Sequence, residues 1–159
     1  MADSSTPVEV FYSYAHEDEA FRNTLEKHLS ILRRQGLIKA WHDRHILPGT
    51  DWAQAIDEHL EGASMILLLV SSDFMASDYC YSPEMMRALQ RQVEGKARVI
   101  PIILRPVDWR DTPLDKLQAL PTDARPVKSW LDLDEALFNI VGGLRKVIKQ
   151  GSLLLKCWW

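Results

Sequence analysis

The sequence predicts an α/β fold in which helices cover both faces of a parallel sheet. Strand-like and helix-like segments alternate along the 159 residues, which is typical of βαβ units joined by right-handed crossovers. Residues 64–70 and 98–104 are almost continuously apolar, as central parallel strands between two helical layers are. The chain length and a hydrophobic content of 47% fit one domain of about 100–200 residues.

Residues 8–41 predict a strand, a helix and a second strand. The first strand covers residues 8–12, and the acidic residues 17–19 suit the positive end of a helix that begins there. The helix ends before Gly36, because glycine is common just past a helix C-terminus, and the second strand covers residues 37–41. The inward-facing side chains of this helix recur at three- and four-residue steps: Phe21, Leu25, His28, Leu29 and Leu32.

The middle of the chain predicts a loop, a helix, the third strand and a second loop. The first loop covers residues 42–50, and a helix follows from near Trp52 to about Glu61. The third strand covers residues 64–70, and the second loop covers residues 71–81.

A third helix begins at Ser82, because serine is a good cap and Pro83 suits the first helical position. This helix ends near Gly95, and the fourth strand covers residues 98–104. Residues 105–126 contain several prolines and predict few regular hydrogen bonds.

The end of the domain predicts an edge strand and a last helix. Residues 126–128 could form a fifth strand, and Asp132 or Asp134 caps the helix that follows. Its inner face is amphipathic: Leu137, Ile140, Val141, Leu144 and Ile148.

Charge and composition argue against several partners. The net charge is −3 and the 19 basic residues are scattered, so we expect no nucleic-acid partner. The longest apolar stretch, residues 65–70, is far shorter than the ~20 residues of a membrane helix, so we expect no membrane crossing. Cys80 and Cys157 form no CxxC pair, which favours a reduced, cytoplasmic protein.

The two ends of the chain are expected to lie outside the domain. Residues 1–7 are short, polar and acidic, which predicts a disordered leader and argues against a signal peptide. The domain covers residues 8–150. Residues 151–159 contain three leucines and two tryptophans, an apolar tail that predicts packing on the last helix, an oligomer interface or a truncated linker.

Residue spacing argues against three kinds of site. His42 and His45 flank Asp43, but no third ligand of suitable spacing follows, so no metal site is predicted. Ser13 and either Ser71 or Ser72 stand at strand ends, but the chain has no G-x-S-x-G sequence and no evident histidine partner for a nucleophile. The chain also has neither G-x-G-x-x-G nor a P-loop, so no cofactor is predicted and dehydrogenases and NTPases are excluded.

Short motifs follow each of the first three strands. They are Phe11-Tyr12-Ser13-Tyr14, then Leu47-Pro48-Gly49, then Ser77-Asp78-Tyr79-Cys80-Tyr81-Ser82-Pro83-Glu84. In this order and spacing they resemble the motifs of bacterial Toll/interleukin-1 receptor (TIR) domains. The resemblance continues through Pro101-Ile102-Ile103 and Ser129-Trp130, and so covers residues 8–148.

The resemblance implies an open flavodoxin-like sheet of five parallel strands in the order 2-1-3-4-5, with helices on both faces. It also implies an acidic residue at the start of the third helix that cleaves NAD⁺ in the catalytic branch of the family, and Glu84 stands there. The loop at residues 42–50 is implied to contact a neighbouring TIR domain and complete the active site. Several catalytic members carry an aromatic residue one turn before the glutamate, where this chain has Cys80 between Tyr79 and Tyr81.

Candidate substrate-binding residues lie in the three loops at the carboxyl ends of the strands, where parallel α/β sheets bind ligands. They are Ser13, Tyr14, Asp43, Leu47, Pro48, Gly49, Trp52, Ser72, Tyr79, Cys80 and Tyr81.

Glu84 is the candidate catalytic residue. Cleavage of the nicotinamide-ribose bond makes the ribose positively charged, as in glycoside hydrolysis, and a fixed carboxylate stabilises that charge. Nicotinamide leaves as a neutral molecule, so one carboxylate can suffice. The alternative is a helix-capping charge, which stabilises a helix by ~0.3–1 kcal/mol.

Two further residues keep two interpretations each. Asp43 could be a second carboxylate or ribose ligand, or a solvated loop acid. Trp52 could close over bound dinucleotide, or could be an apolar staple at the start of its helix.

Two functions therefore follow from the sequence. The first is an NAD⁺ glycohydrolase that yields nicotinamide and ADP-ribose or a cyclic ADP-ribose isomer, activated by self-association with other TIR domains in bacterial antiphage defence. The second is a non-enzymatic TIR adaptor that only recruits other TIR domains.

Overall fold

The computed structural model describes residues 7–46 and 58–157, the last seven of them as backbone. Its strands form one parallel sheet in the order β2-β1-β3-β4. These strands are β1 Val8–Ala15, β2 Ile38–Ile46, β3 Met65–Val70 and β4 Arg98–Ile103. The parallel α/β class and the order of the first four strands are confirmed.

Helices of very different length connect the strands. The α-helices are α1 Glu19–Arg34, α2 Glu58–Gly62, α3 Ser72–Ala76, α4 Pro83–Val93 and α5 Leu133–Cys157. Short 3-10 helices cover His16–Asp18, Tyr79–Tyr81, Thr122–Ala124 and Val127–Ser129. No helix in the described part of the chain has the length and apolar content needed to span a membrane.

The sheet separates two apolar cores, because successive side chains of a strand point to opposite faces. On one face Tyr12 and Tyr14 of β1 pack with side chains of α1 and α5. On the other face Phe11 and Ala15 of β1 pack with side chains of α2, α3 and α4. Both faces of the sheet are thus covered, as the apolar strands predicted.

The ends of α1 and α4 follow the predicted chemistry. After α1, Gly36 has a φ of +78°, and the N–H of Leu37 donates to the carbonyl of Leu32 at 2.9 Å. This left-handed closure is the Schellman motif, which glycine adopts without steric cost. At the start of α4, the Ser82 hydroxyl accepts from the N–H of Met85 at 3.1 Å, so Ser82 caps this helix as predicted.

The second strand is longer than predicted. It was expected at residues 37–41 with a loop from residue 42, but β2 continues to Ile46 and pairs with β1 as far as Ala15. Ser13 lies opposite Arg44 in this ladder. The backbone of β1 provides the hydrogen bonds, so a polar stretch on an edge strand remains extended without an apolar pattern.

The predicted fifth strand at residues 126–128 is wrong. Val127–Ser129 is a 3-10 helix, and Leu120 takes the position beside β4 through an isolated parallel bridge to Ile102. The N–H of Leu120 donates to Pro101 at 2.8 Å, and its carbonyl accepts from Ile103 at 2.8 Å. The sheet in the described residues therefore has four strands.

Gly143 of α5 makes room for Leu120 at this edge. A Cβ at position 143 would lie 2.8 Å from the Leu120 Cδ2 atom, which is closer than packed carbon atoms approach. Position 126 is also a proline, which has no N–H to donate to a neighbouring strand. These two facts explain why residue 120 bridges to β4 and residues 126–128 form no strand.

Other boundaries differ in detail. Residues 71–81 were expected to be a loop, but they contain α3 and the Tyr79–Tyr81 3-10 helix. The last helix begins at Leu133, and Asp132 caps it by accepting from the N–H of Asp134 at 2.9 Å. The expected helix start near Trp52, the leader before Pro7 and the side chains of the tail lie outside the described residues.

Candidate active site

Glu84 lies in the first turn of α4 and is buried against the sheet. Ser82 caps the helix and Pro83 occupies its first position, and this start places the Glu84 carboxylate at the carboxyl end of the sheet. Only 4% of its side chain is exposed. A carboxylate this deeply buried requires charged or hydrogen-bonding partners, because leaving water is costly.

Arg44 of β2 is a charged partner of Glu84. Its Nε donates to Oε1 of Glu84 at 3.0 Å and its Nη2 donates to Oε2 at 2.7 Å. This is the bidentate geometry that gives the strongest arginine–carboxylate pairs. The Arg44 side chain is 28% exposed, so the pair has one buried partner and one partner that reaches water.

Tyr79 is the second partner of Glu84. Its hydroxyl donates to Glu84 Oε1 at 2.5 Å and accepts from the Ser13 hydroxyl at 2.9 Å. Burial and then the Glu84 charge raise the pKa of Tyr79 well above 10.0, so Tyr79 remains a neutral donor. The side chains of Ser13, Arg44, Tyr79 and Glu84 thus form one connected polar cluster, called the Glu84 cluster below.

The elements around the Glu84 cluster explain its position. Ser13 lies near the end of β1, opposite Arg44 on one side and Leu68 of β3 on the other. Tyr79 lies in the short 3-10 helix before α4. The cluster therefore occupies the carboxyl ends of neighbouring parallel strands, where ligands bind in this class of fold.

Residues 10–137 match the protein family described as TIR domain. The chain belongs to the TIR domain family. It is also similar to a Sinorhizobium fredii protein named "Uncharacterized protein y4lF", with 53% identity over 137 residues that cover 86% of this chain and 42% of that protein. This TIR domain therefore spans less than half the length of the curated relative that it matches. TIR domains interact with one another, and the family includes both NAD-cleaving enzymes and scaffolds.

Two candidate residues of the TIR domain lie on the opposite face of the sheet from Glu84. Tyr14 is buried on the α1 face, and its ring is stacked on that of His45 with centroids 5.0 Å apart. Asp43 pairs with Arg22 of α1 at 3.6 Å. The structure thus brings Ser13 and Tyr79 to Glu84 but keeps Tyr14 and Asp43 away from it.

The remaining described candidates surround α3 and α4. Cys80 is fully buried beside Met75, with 3.7 Å between the sulfur atoms, and burial raises the pKa of its thiol from 9.0 to about 11. Such a thiol is unreactive near neutral pH. Ser72 is exposed at the start of α3, and Tyr81 is 60% exposed. Leu47, Pro48, Gly49 and Trp52 lie outside the described residues.

Sequence reasoning missed Arg44 because residues 42–50 were interpreted as one loop. The signal that could have revealed it is the ladder register, since a second strand extended by five residues places Arg44 opposite Ser13. An arginine next to an acid such as Asp43 is common in loops, so the residue types alone give no reason to select Arg44.

A separate cavity of about 330 Å³ opens at the carboxyl end of β4. Arg105 lines it and bonds to Asp18 at 2.9 Å and to Asp73 at 3.1 Å. Asp18 in turn accepts from the Ser71 hydroxyl at 2.5 Å. Burial, the largest effect, raises the pKa of Asp18 above 3.8. Among the predicted site residues that the structure describes, none lines this cavity.

Proposed function

We propose that this TIR domain is an NAD⁺ glycohydrolase in which Glu84 is the catalytic carboxylate. The observation that supports the proposal is the buried carboxylate of Glu84 at the carboxyl ends of β1 and β3, oriented by Arg44 and Tyr79. A fixed and largely desolvated carboxylate stabilises a nearby positive charge far better than a carboxylate in water does.

The reaction requires few groups from the protein. The bond between C1′ of the ribose and the nicotinamide nitrogen breaks, and its electron pair leaves with nicotinamide, which becomes neutral. The ribose acquires oxocarbenium character that Glu84 opposes. Water then adds to C1′ and releases a proton to give ADP-ribose, or an adenine nitrogen adds instead to give a cyclic isomer.

Arg44 determines when Glu84 can act. In the single chain the guanidinium covers a carboxylate that is only 4% exposed, so a ribose reaches Glu84 only after Arg44 moves. We assign this arrangement to the resting enzyme. Tyr79 is fully buried, whereas the Arg44 side chain is 28% exposed and can turn towards water, so we take Arg44 as the partner that moves.

Self-association provides the means to move Arg44. Arg44 lies two residues before the end of β2 and within residues 42–50, the segment that the family resemblance assigns to contact with a neighbouring TIR domain. A contact there acts on the strand end that holds Arg44. Activity in the assembled state and silence in the single chain follow from this coupling.

The deciding experiment compares nicotinamide release by the parent chain and Glu84→Gln at high protein concentration. We expect the substitution to reduce release by about 10²–10³-fold, because it removes the charge that opposes the ribose cation. Glu61→Gln is the matched control, since Glu61 also forms a bidentate pair with an arginine, Arg87, at 2.7 and 2.9 Å. Circular dichroism verifies that each variant folds.

Two results would count against the enzyme. One is a Glu84→Gln variant that releases nicotinamide at the parent rate. The other is intact NAD⁺ with a parent chain that sedimentation shows to be assembled.

The second candidate is a TIR scaffold without catalytic activity. The same Arg44–Glu84 pair favours it, because a bidentate pair between β2 and α4 also serves to join two elements. A scaffold releases no nicotinamide in any variant, and its Glu84→Gln form binds other TIR domains as the parent does.

The biological role proposed is bacterial antiphage defence through loss of NAD⁺. It concerns the whole protein, of which this chain can be a part, since the match covers only 42% of the S. fredii relative. Chromatography with mass detection identifies the product as linear or cyclic. Phage survival on bacteria that express the whole protein or its Glu84→Gln form tests the role.

A further inference from the structure

Two histidines and a glutamate meet on the α1 face of the sheet. His16 follows β1, Glu19 begins α1, and His45 lies one residue before the end of β2. Nδ1 of His16 and Nε2 of His45 are 2.9 Å apart. One ligand atom from each of the three side chains lies within 4.8 Å of the other two. We call these residues the His16 cluster.

The His16 cluster fits the ligand geometry of a late transition metal. Zinc binds imidazole nitrogen at about 2.0–2.1 Å, and a tetrahedral angle then separates two such nitrogens by about 3.3 Å. The nitrogens of His16 and His45 need only about 0.4 Å more separation to meet this value. The two ring planes are only 21° apart, so the His16 ring must also turn before both nitrogens face one ion. His16 is exposed, so its ring can turn and shift in this way without disturbing the core.

The surroundings orient the other two ligands. His45 is held by its stacking on the buried Tyr14, with ring planes only 13° apart. The Glu19 carboxylate is 45% exposed and accepts from Arg22 at 3.3 Å. The Arg22 donor to Glu19 is a hydrogen bond of the kind that orients carboxylate ligands of metals, and the stacking on Tyr14 fixes the plane of the His45 ring.

The residue types select the class of cation. Imidazole suits zinc, copper and nickel, whereas magnesium and calcium prefer oxygen ligands. Two histidines and one carboxylate also leave a fourth tetrahedral position for water. His42 does not belong to the His16 cluster, because its ring stacks on that of His59 with ring centroids 3.7 Å apart.

We propose that His16, Glu19 and His45 bind one late divalent transition-metal ion, of which Zn²⁺ is the representative. The ion joins the start of α1 to the end of β2. The His16 cluster lies on the face of Tyr14, opposite Glu84, so ion binding itself requires neither Glu84 nor NAD⁺ cleavage and can be measured when both are absent.

The test uses the full chain without a histidine tag, treated with a chelator and then dialysed. Calorimetric titration with ZnCl₂ is expected to show one equivalent bound and a higher melting temperature. His16→Gln and His45→Gln are each expected to weaken binding by about tenfold or more, as loss of a ligand contact does. His28→Gln is the matched control, since His28 lies on α1 and pairs with Asp134 at 3.4 Å.

Cobalt identifies the ligands independently of affinity. With Co²⁺ in place of Zn²⁺, visible absorption without a sulfur charge-transfer band supports nitrogen and oxygen ligands. Three results overturn the proposal: no equivalent bound by the parent, equal binding by all three histidine variants, or a thiolate band from a cysteine. In the first case the 2.9 Å contact is only a hydrogen bond between two imidazoles.

Discussion

At the scale of single residues, Tyr14 illustrates how a strand separates neighbours in sequence. Ser13 faces the Glu84 cluster, whereas Tyr14 points to α1 and interacts with Asp43. Burial, and then the Asp43 charge, raises the pKa of Tyr14 from 10.0 to about 12. A raised pKa in the folded state stabilises the fold fully below pH 10, and this contribution disappears as the pH rises through about 12.

Tyr14→Phe should therefore reduce the dependence of stability on alkaline pH. We expect the parent to lose about 1 kcal/mol more of its unfolding free energy than the variant between about pH 9 and pH 11. Urea unfolding at several pH values measures the difference. Tyr81→Phe is the control, since Tyr81 is 60% exposed. Identical pH dependence in the parent and Tyr14→Phe would show that Tyr14 ionises equally well in both states.

Which residues could be predicted follows from where their chemistry is encoded. The helix start before Glu84 was predicted because Ser82 and Pro83 encode it in the local sequence, and the resemblance to TIR domains then selected Glu84 as the candidate carboxylate. Arg44 and the partners of His45 depend on pairing between β1 and β2, which brings together residues about 30 positions apart. No local pattern contains that information, so the sequence indicated neither Arg44 nor the approach of His16 to His45.

At the scale of elements, the Arg44–Glu84 pair joins β2 to α4. The buried strands β3 and β4 were predicted closely, because apolar runs specify them. The edges of the sheet were not predicted closely. The length of β2 depends on pairing with the backbone of β1, and the opposite edge depends on how Leu120 fits over Gly143. Edge elements are fixed by neighbouring backbone and space, and a one-dimensional pattern contains neither.

A double-mutant cycle measures how strongly this pair joins the two elements. Arg44→Ala leaves the buried Glu84 without its guanidinium and should cost about 3–5 kcal/mol. Glu84→Ala should cost less, about 1–3 kcal/mol, because Arg44 can turn to water. The double variant should be more stable than Arg44→Ala alone. Guanidinium unfolding followed by circular dichroism gives all four free energies.

The Arg87–Glu61 pair is the matched control for this cycle. It has the same bidentate geometry, but its side chains are 27% and 43% exposed, so its coupling should be much weaker than that of the Arg44–Glu84 pair. If the coupling free energy of Arg44–Glu84 were no larger than that of Arg87–Glu61, burial would not strengthen the pair. Another contact would then have to keep the resting state inactive.

At the scale of the whole molecule, two facts belong together. The carboxylate of Glu84 is covered by its neighbours, and TIR domains associate with one another. A site that is blocked in one chain and opens in an assembly has a simple energetic basis. In the proposed enzyme, contact with a neighbouring TIR domain must supply the free energy that separates Arg44 from Glu84. Coupling free energies of about 1–3 kcal/mol between two sites are typical. Weakening the Arg44–Glu84 pair should therefore lower the degree of assembly that nicotinamide release requires.

Nicotinamide release should therefore rise faster than linearly with the concentration of the parent chain. Arg44→Gln should raise release per chain at low concentration by about fivefold or more, because it removes the charge that holds Glu84 while leaving one donor to it. Arg87→Gln serves as control and should follow the parent curve. Initial rates over a wide concentration range, with sedimentation at the same concentrations, test the coupling. If Arg44→Gln is as inactive as Glu84→Gln throughout, Arg44 binds the substrate instead, and another element keeps the single chain silent.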